Sequence, residues 1–209
     1  MLAQIEQALL PHHLTIYGGV CKDLPQGIGT LLLLGPQPPG FWPHFTTSPE
    51  YTDGQPEPLD RWSKRAITEL AQDLGAEAFF PFGGPPWRPF VQWAIDSGRA
   101  HVSPVGLLVH DEAGLMISYR GALGFAQNIT LPEPPPCPCD TCADRPCLVA
   151  CPVDALTPDG YDITACKTDL DRTGNDCMTR GCAVRRACPI SQSHGRTEGQ
   201  SAFHMRAFK

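Results

Sequence analysis

The chain has 209 residues, of which 42% are hydrophobic, and its formal net charge at pH 7 is −6. This length is enough for one large domain or two small ones, and the acidic balance argues against a nucleic-acid partner. The longest apolar run, Leu31 to Leu34, is far too short to span a membrane, so no membrane partner is expected.

The first residues of the chain lack the basic region and the long apolar core of a secretory signal peptide. We therefore expect a cytoplasmic protein. Thiols stay reduced in that compartment, which suits cysteines that bind metal–sulfur clusters.

Hydrophobic spacing predicts the first elements of the chain. A short helix is expected over residues 2–10 and should end at Pro11. Two strands follow, Leu14 to Val20 and Thr30 to Leu34, and the second has no polar alternation, so it should be buried on both faces. The segment from Gly35 to Pro58 is predicted to be a long loop whose aromatic residues pack either on the core or on a flat ligand.

The clearest helix runs from Leu59 to Leu74, where apolar residues recur at spacings of three, four and seven and Gly75 ends the pattern. A strand over Ala78 to Phe80 comes next. Pro89 is expected in the first turn of a helix that continues through Ile95.

A hairpin and a linker are predicted in the middle of the chain. The hairpin strands are Val105 to Val109 and Leu115 to Tyr119, joined by a loop that contains glycine. The proline-rich segment from Leu131 to Pro138 should be extended and mark a domain boundary. We therefore predict domains at residues 1–131 and 132–209.

Two cysteine runs that each end in Cys-Pro dominate the last third of the chain. They read Cys139-x2-Cys142-x4-Cys147-x3-Cys151-Pro152 and Cys177-x4-Cys182-x5-Cys188-Pro189, with Cys166 between them. A [4Fe–4S] cluster takes four thiolates, three from one run and one from the Cys-Pro of the other. On that logic one cluster takes Cys139, Cys142, Cys147 and Cys188, and the second takes Cys151, Cys166, Cys177 and Cys182.

Other roles for these cysteines fit the sequence less well. Zinc sites usually show paired Cys-x2-Cys knuckles with histidine, whereas only one such pair occurs here and His194 stands alone. Disulfide frameworks belong to small secreted domains. Cys137 is a rival of Cys139 for the first ligand position and is expected to be free, and Cys21 is expected to be an ordinary buried thiol. Residues 191–209, beyond the last cysteine, read as a polar tail.

The cysteine segment resembles the two-cluster domain of bacterial ferredoxins. The match is carried by the two runs and by Ala150-Cys151-Pro152-Val153-Asp154-Ala155-Leu156, which looks like that family's usual exit from the first run. The spacing departs from the family, because both runs contain insertions. Cys166 also lies far ahead of Cys177, as in ferredoxin modules fused to corrinoid reductases.

Residues 82–125 resemble the corrinoid-binding domain of epoxyqueuosine reductases, reductive dehalogenases and the mammalian B12-processing chaperone, a relative of the nitroreductase fold. The resembling residues are Gly84-Pro85, Arg88-Pro89, Ser97-Gly98, Gly106 to His110 with Gly114, and Tyr119-Arg120-Gly121. The acidic proton donor that the queuosine enzymes carry just before Gly-Pro is absent here.

The two resemblances together imply an α+β protein. Its N-terminal domain would be a nitroreductase-like, corrinoid-binding-like arrangement of sheet and helices, followed by a ferredoxin-like module with two [4Fe–4S] clusters. They imply an oxidoreductase that passes single electrons to a bound cobalamin, for its reduction or for reductive removal of its upper ligand. An external flavodoxin, ferredoxin or reductase would supply the electrons.

Four residues are candidates for contact with the corrin: His101, Tyr119, Arg120 and Trp87. His101 serves either as an axial ligand or proton donor or as a structural histidine. Tyr119 and Arg120 either hold corrin amides or a phosphate or simply end a strand, and Trp87 covers either a ring face or the core. A ferredoxin-like carrier without corrinoid and a flavin-linked reductase remain the alternative functions.

Overall fold

The computed structural model describes residues 1–209 and shows a protein of mixed helix and strand content with small antiparallel sheets, in line with the expected α+β class. The helices are α1 (Leu2–Leu9), α2 (Phe41–Thr46), α3 (Pro49–Thr52), α4 (Pro58–Leu74), α5 (Phe90–Asp96), α6 (Ile163–Asp169), α7 (Cys177–Arg180), α8 (Ala183–Ala187), α9 (Pro189–Ser193) and α10 (Glu198–Phe208). The strands are β1 (Leu14–Val20), β2 (Thr30–Pro36), β3 (Glu77–Phe79), β4 (Ala100–Val102), β5 (Leu108–His110), β6 (Gly121–Phe125), β7 (Leu156–Thr157) and β8 (Gly160–Tyr161). None of the helices combines the length and the apolar character that crossing a membrane requires.

The chain folds into two compact units, and each unit is assembled from two separate stretches of sequence. The first unit comprises Met1–Arg99 and Ser118–Pro134, and the second comprises Ala100–Ile117 and Pro135–Lys209. The second unit therefore includes residues 100–117, which the predicted domain boundary after residue 131 would assign to the first domain.

The core of the first unit is an antiparallel sheet in the order β1-β2-β6-β3. Strand β2 lies in its interior, and residues Leu31 to Leu34 have 0% exposure. The prediction that this strand is buried on both faces is thus confirmed. It follows from the unbroken leucine run, since a strand with one wet face would alternate with polar residues.

Strand β6, which pairs with both β2 and β3, was not predicted from the sequence. Two of its five residues are glycines, which weaken strand propensity. The packing explains them: a Cβ on Gly121 would lie 2.7 Å from Ile67 Cδ1, and one on Gly124 would lie 2.7 Å from a ring atom of Phe79. Glycine here allows α4 and the neighbouring strand to approach the sheet closely.

The segment predicted as a long loop contains two short helices, α2 and α3. Of the two roles considered for its aromatic residues, the structure shows core packing. Phe41 and Phe45 are fully buried, and their rings meet the ring of Trp62 edge-on at centroid distances of 5.3 and 6.0 Å. Ser48 caps α3 by accepting a hydrogen bond from the Tyr51 N–H.

Helix α4 confirms the clearest periodic pattern in the sequence, and Gly75 ends it in the left-handed conformation. The expected effect of Pro11 is only partly seen, because a 3₁₀ turn over Leu10–His12 continues past it. Pro89 precedes α5 as its N-cap rather than lying inside its first turn. Cys21 is exposed rather than buried.

The hairpin of the second unit differs from the prediction. It pairs β4 with β5, so that Ala100 faces His110, and the turn lies at Ser103 to Leu107. Gly106 supplies the positive φ of +76° that this turn needs. Residues 115–119 form no strand, and the Leu115 N–H instead donates a hydrogen bond to Ser191 Oγ at 2.8 Å.

The predicted polar tail is largely helical. Helix α10 starts at the Thr197 cap and packs against α7. Its polar residues Gln200 and Ser201 are buried. Between the two cysteine runs, β7 and β8 form a small hairpin that leads into α6.

Candidate metal centre

The cysteines of the second unit lie on short elements that turn the chain repeatedly. Cys147 belongs to a 3₁₀ turn over Pro146–Leu148. Cys166 lies within α6, and Cys177 is the first residue of α7. Cys182 caps the start of α8, and Cys188 separates α8 from α9. Proline after Cys188 opens α9, where a missing N–H is tolerated.

Four of the thiols meet at one cavity of about 180 Å³. They are Cys139, Cys142, Cys147 and Cys188, the set that the spacing of the cysteines assigned to the first cluster. The remaining lining is mostly apolar: Ser103, Val109, Leu115, Pro138, Thr141, Pro146, Pro189 and Ile190. Residues more than 40 positions apart in sequence are thus brought to a single apolar space.

Burial makes two of these thiols, Cys139 and Cys147, poor acids. It raises the pKa of Cys139 to about 11, and the neighbouring Cys137, which forms a hydrogen bond with it, adds to the shift. Burial likewise raises the pKa of Cys147, with Cys142 and Cys188 close enough for their charges to repel it. Without a cation Cys139 and Cys147 would stay protonated, because several thiolates in one apolar cavity repel one another.

The second predicted set also forms a neighbourhood. Burial raises the pKa of Cys166, and Cys182 and Cys151 lie close enough to raise it further. Burial also raises the pKa of Cys177, with Cys182 again among its charged neighbours. The cysteines that act as charged neighbours of Cys166 and Cys177 all belong to the second predicted set.

Several sulfur atoms accept hydrogen bonds, which stabilise thiolates. The Ala155 N–H donates to Cys151 Sγ at 3.2 Å, and the Tyr161 hydroxyl donates to Cys166 Sγ at 3.3 Å. The backbone N–H of Ala183 does the same for Cys177 and lowers its pKa against the effect of burial. Burial and the bond to Cys166 together raise the pKa of Tyr161, which keeps the hydroxyl proton available as a donor.

Ser103 is a member of the cavity that the sequence did not single out. Its side chain is only 5% exposed, it lines the cavity with the four thiols, and its Oγ has no hydrogen-bond partner. A buried hydroxyl without a partner is costly. The sequence alone does not place Ser103 at the cavity. The turn that brings Ser103 to the cysteines depends on the β4–β5 pairing.

The four candidate corrin residues are divided between the two units. His101 lies on β4 in the second unit, partly buried, and its Nε2 has no partner. Trp87, in the first unit, is 66% exposed and covers no core. Arg120, also in the first unit, forms an ion pair with Asp60 at 3.1 Å and lies over the Phe82 ring.

Tyr119 and Arg120 lie directly before β6, and Tyr119 is partly buried. The ion pair with Asp60 balances the positive charge of Arg120, so no bound ligand is needed to balance it. Arg120 does not end a strand as expected, because residues 115–119 form none and β6 begins only at Gly121.

No group of three or more His, Cys, Asp or Glu side chains lies close enough together to hold a single metal ion. Comparisons with models of protein families, with curated proteins and with solved structures found no match to this chain.

Proposed function

We propose that the second unit binds two [4Fe–4S] clusters and that the protein transfers single electrons. The observation that carries this proposal is the apolar cavity lined by Cys139, Cys142, Cys147 and Cys188. A cubane binds its thiolates through four different iron atoms, so its ligands surround a volume rather than a point. Four thiols around a cavity match that demand.

The residues present fit such clusters in three further respects. The cavity walls are apolar, and a dry environment around a cluster influences its reduction potential. Backbone and Tyr161 donors already point at the sulfur atoms of the second set. The unpartnered hydroxyl of Ser103 is a donor for sulfur at the first set.

When bound, the clusters would supply one-electron chemistry at low potential. The protein residues hold them by eight thiolates, four for each cluster, in the two predicted sets. They also give the first cavity a mostly apolar lining and donate hydrogen bonds to sulfur. The ferredoxin-like character of the second unit is part of this proposal, and an external one-electron donor is its expected partner.

The first test is the iron and acid-labile sulfide content of anaerobically purified protein. About eight irons and eight sulfides per chain are expected, because each cubane contains four of each. The visible spectrum should show the broad iron–sulfur shoulder. Zinc without sulfide in a colourless protein would refute the proposal and leave a structural zinc protein instead.

The corrinoid remains a prediction of the sequence resemblance. The same preparation, titrated with hydroxocobalamin, separates the remaining functions. A shift of the corrin bands to the base-off form, saturating near one equivalent, would support electron transfer to cobalamin. An unchanged corrin spectrum with clusters present would leave a ferredoxin-like carrier, and flavin bands in the purified protein would favour a flavin-linked reductase with a nitroreductase-like first unit.

A further inference from the structure

The small hairpin of β7 and β8 contacts the sulfur atoms of two predicted ligands. The N–H of Ala155, directly before β7, donates to Cys151 Sγ at 3.2 Å. The hydroxyl of Tyr161, the last residue of β8, donates to Cys166 Sγ at 3.3 Å. The two sides of the hairpin are joined at this end, because the Asp162 N–H donates to the Ala155 carbonyl at 2.8 Å. Printed contacts of one hairpin thus bring Cys151 and Cys166 to the same end of it.

The contact from Tyr161 is the only one of the two that a side chain makes. Tyr161 is 39% exposed, yet its hydroxyl donates to a sulfur atom rather than to a nitrogen or oxygen atom of the protein. A protonated thiol is a weak acceptor, whereas a sulfur atom that carries negative charge accepts a hydrogen bond more strongly. The contact therefore becomes stronger when Cys166 binds iron as a thiolate.

Neighbouring contacts hold both partners of this hydrogen bond in place. The Tyr161 ring stacks on the ring of Phe208 in α10, with centroids 6.1 Å apart and planes inclined by 15°. The Lys167 ammonium lies 5.2 Å from the centroid of the same Phe208 ring, and Lys167 follows Cys166 in α6. Asp162 caps the start of that helix with its side chain. The donor and the sulfur atom are therefore preorganised for each other.

We propose that the Tyr161 hydroxyl raises the reduction potential of the cluster held by Cys151, Cys166, Cys177 and Cys182. This inference rests on the proposed function. Reduction adds one electron from the external donor, and the phenol proton stays on its oxygen, so no bond is broken. The added negative charge is shared by the ligand sulfur atoms. The O–H···S hydrogen bond to Cys166 is therefore stronger in the reduced state and stabilises that state more.

The test is an anaerobic redox titration with dithionite and mediators, followed by electron paramagnetic resonance. It compares full-length wild type, Y161F and a protein with 3-fluorotyrosine at position 161. Y161F keeps the ring that stacks on Phe208 and removes only the donor, so it should lower the potential of one cluster and leave the other unchanged. The fluorinated phenol is the stronger donor and should raise the same potential. Y51F removes a hydroxyl from the first unit and should change neither potential.

Shifts of opposite sign in Y161F and the fluorinated protein, confined to one cluster, would support the inference. Unchanged potentials in both, with wild-type iron content, would overturn it and leave the proposed function standing. A lower potential in Y161F without a rise in the fluorinated protein would assign the effect to packing and also overturn it. If Y161F loses iron, the fluorinated protein decides, because it keeps the hydroxyl: a raised potential supports the inference and an unchanged one contradicts it. A wild-type protein without clusters would end both proposals.

Discussion

Replacement of Cys188 by alanine is expected to reduce the iron content from about eight to about four atoms per chain, because one cubane loses a ligand while the other keeps its set. Cys188 is 8% exposed and lines the cavity with Cys139, Cys142 and Cys147. Iron and sulfide analysis of the anaerobically purified variant measures the effect.

Double variants identify which cysteines share a cluster. C142A/C188A should keep about four irons, because both substitutions remove ligands of the same cluster. C182A/C188A should keep almost none, because each cluster then lacks one ligand. The control is C21A, which changes an exposed thiol in the first unit and should leave the iron content unaltered.

The pairing would be wrong if the two double variants gave the opposite iron contents. If C188A alone lost all of its iron, the two cluster sites would not be independent of each other. A further single variant, C137A, distinguishes the free thiol from a ligand: wild-type iron content keeps Cys139 as the first ligand.

Gly114→Ala is expected to destabilise the second unit by about 2–5 kcal/mol. Gly114 has a φ of +55°, where a Cβ costs about 1–2 kcal/mol. The added atom would also lie 2.5 Å from the Ser191 backbone nitrogen and 3.0 Å from Cys188 Sγ. Such overpacking typically adds about 1–3 kcal/mol. Denaturant unfolding followed by far-ultraviolet circular dichroism measures the change.

Gly106→Ala is the matched control for this substitution. Gly106 lies in the β4–β5 turn of the same unit with a φ of +76°, but nothing lies within 4 Å of where its Cβ would be. Only the conformational cost of about 1–2 kcal/mol should therefore appear. G114A should also displace Cys188 and lower the iron content, which G106A should not. Equal effects of the two variants would show that crowding at Cys188 contributes nothing.

The local sequence pattern was sufficient to predict some of the helices and strands but not others. The leucine run of β2 and the periodic stripe of α4 are strong signals, because burial on both faces and burial on one stripe leave distinct patterns. Strand β6 was missed because Gly121 and Gly124 look like turn residues until Ile67 and Phe79 are seen against them. The hairpin was misplaced because Val105 to Leu107 were interpreted as strand rather than turn.

The candidate metal centre, like the fold, could be predicted only in part from the sequence. Cysteine spacing grouped Cys139, Cys142, Cys147 and Cys188, which line one cavity, because loop length limits how a chain can surround a cube. It could not reveal Ser103, whose place at the cavity depends on the β4–β5 pairing. Nor could it reveal the hydrogen bond from Arg185 to the Leu115 carbonyl, which spans 70 residues and leaves no periodic trace.

The order of segments along the chain also limits how this protein could be cut or recombined. The polypeptide leaves the first unit after residue 99, contributes residues 100–117 to the second, and returns before leaving again after residue 134. A fragment starting at residue 132 would contain every cysteine of the two runs but lack Ser103, Val109 and Leu115, which line the cavity. The cysteine-bearing unit is therefore not a detachable cassette, and a gene fusion that joined it to another protein at the proline-rich linker would transfer an incomplete wall.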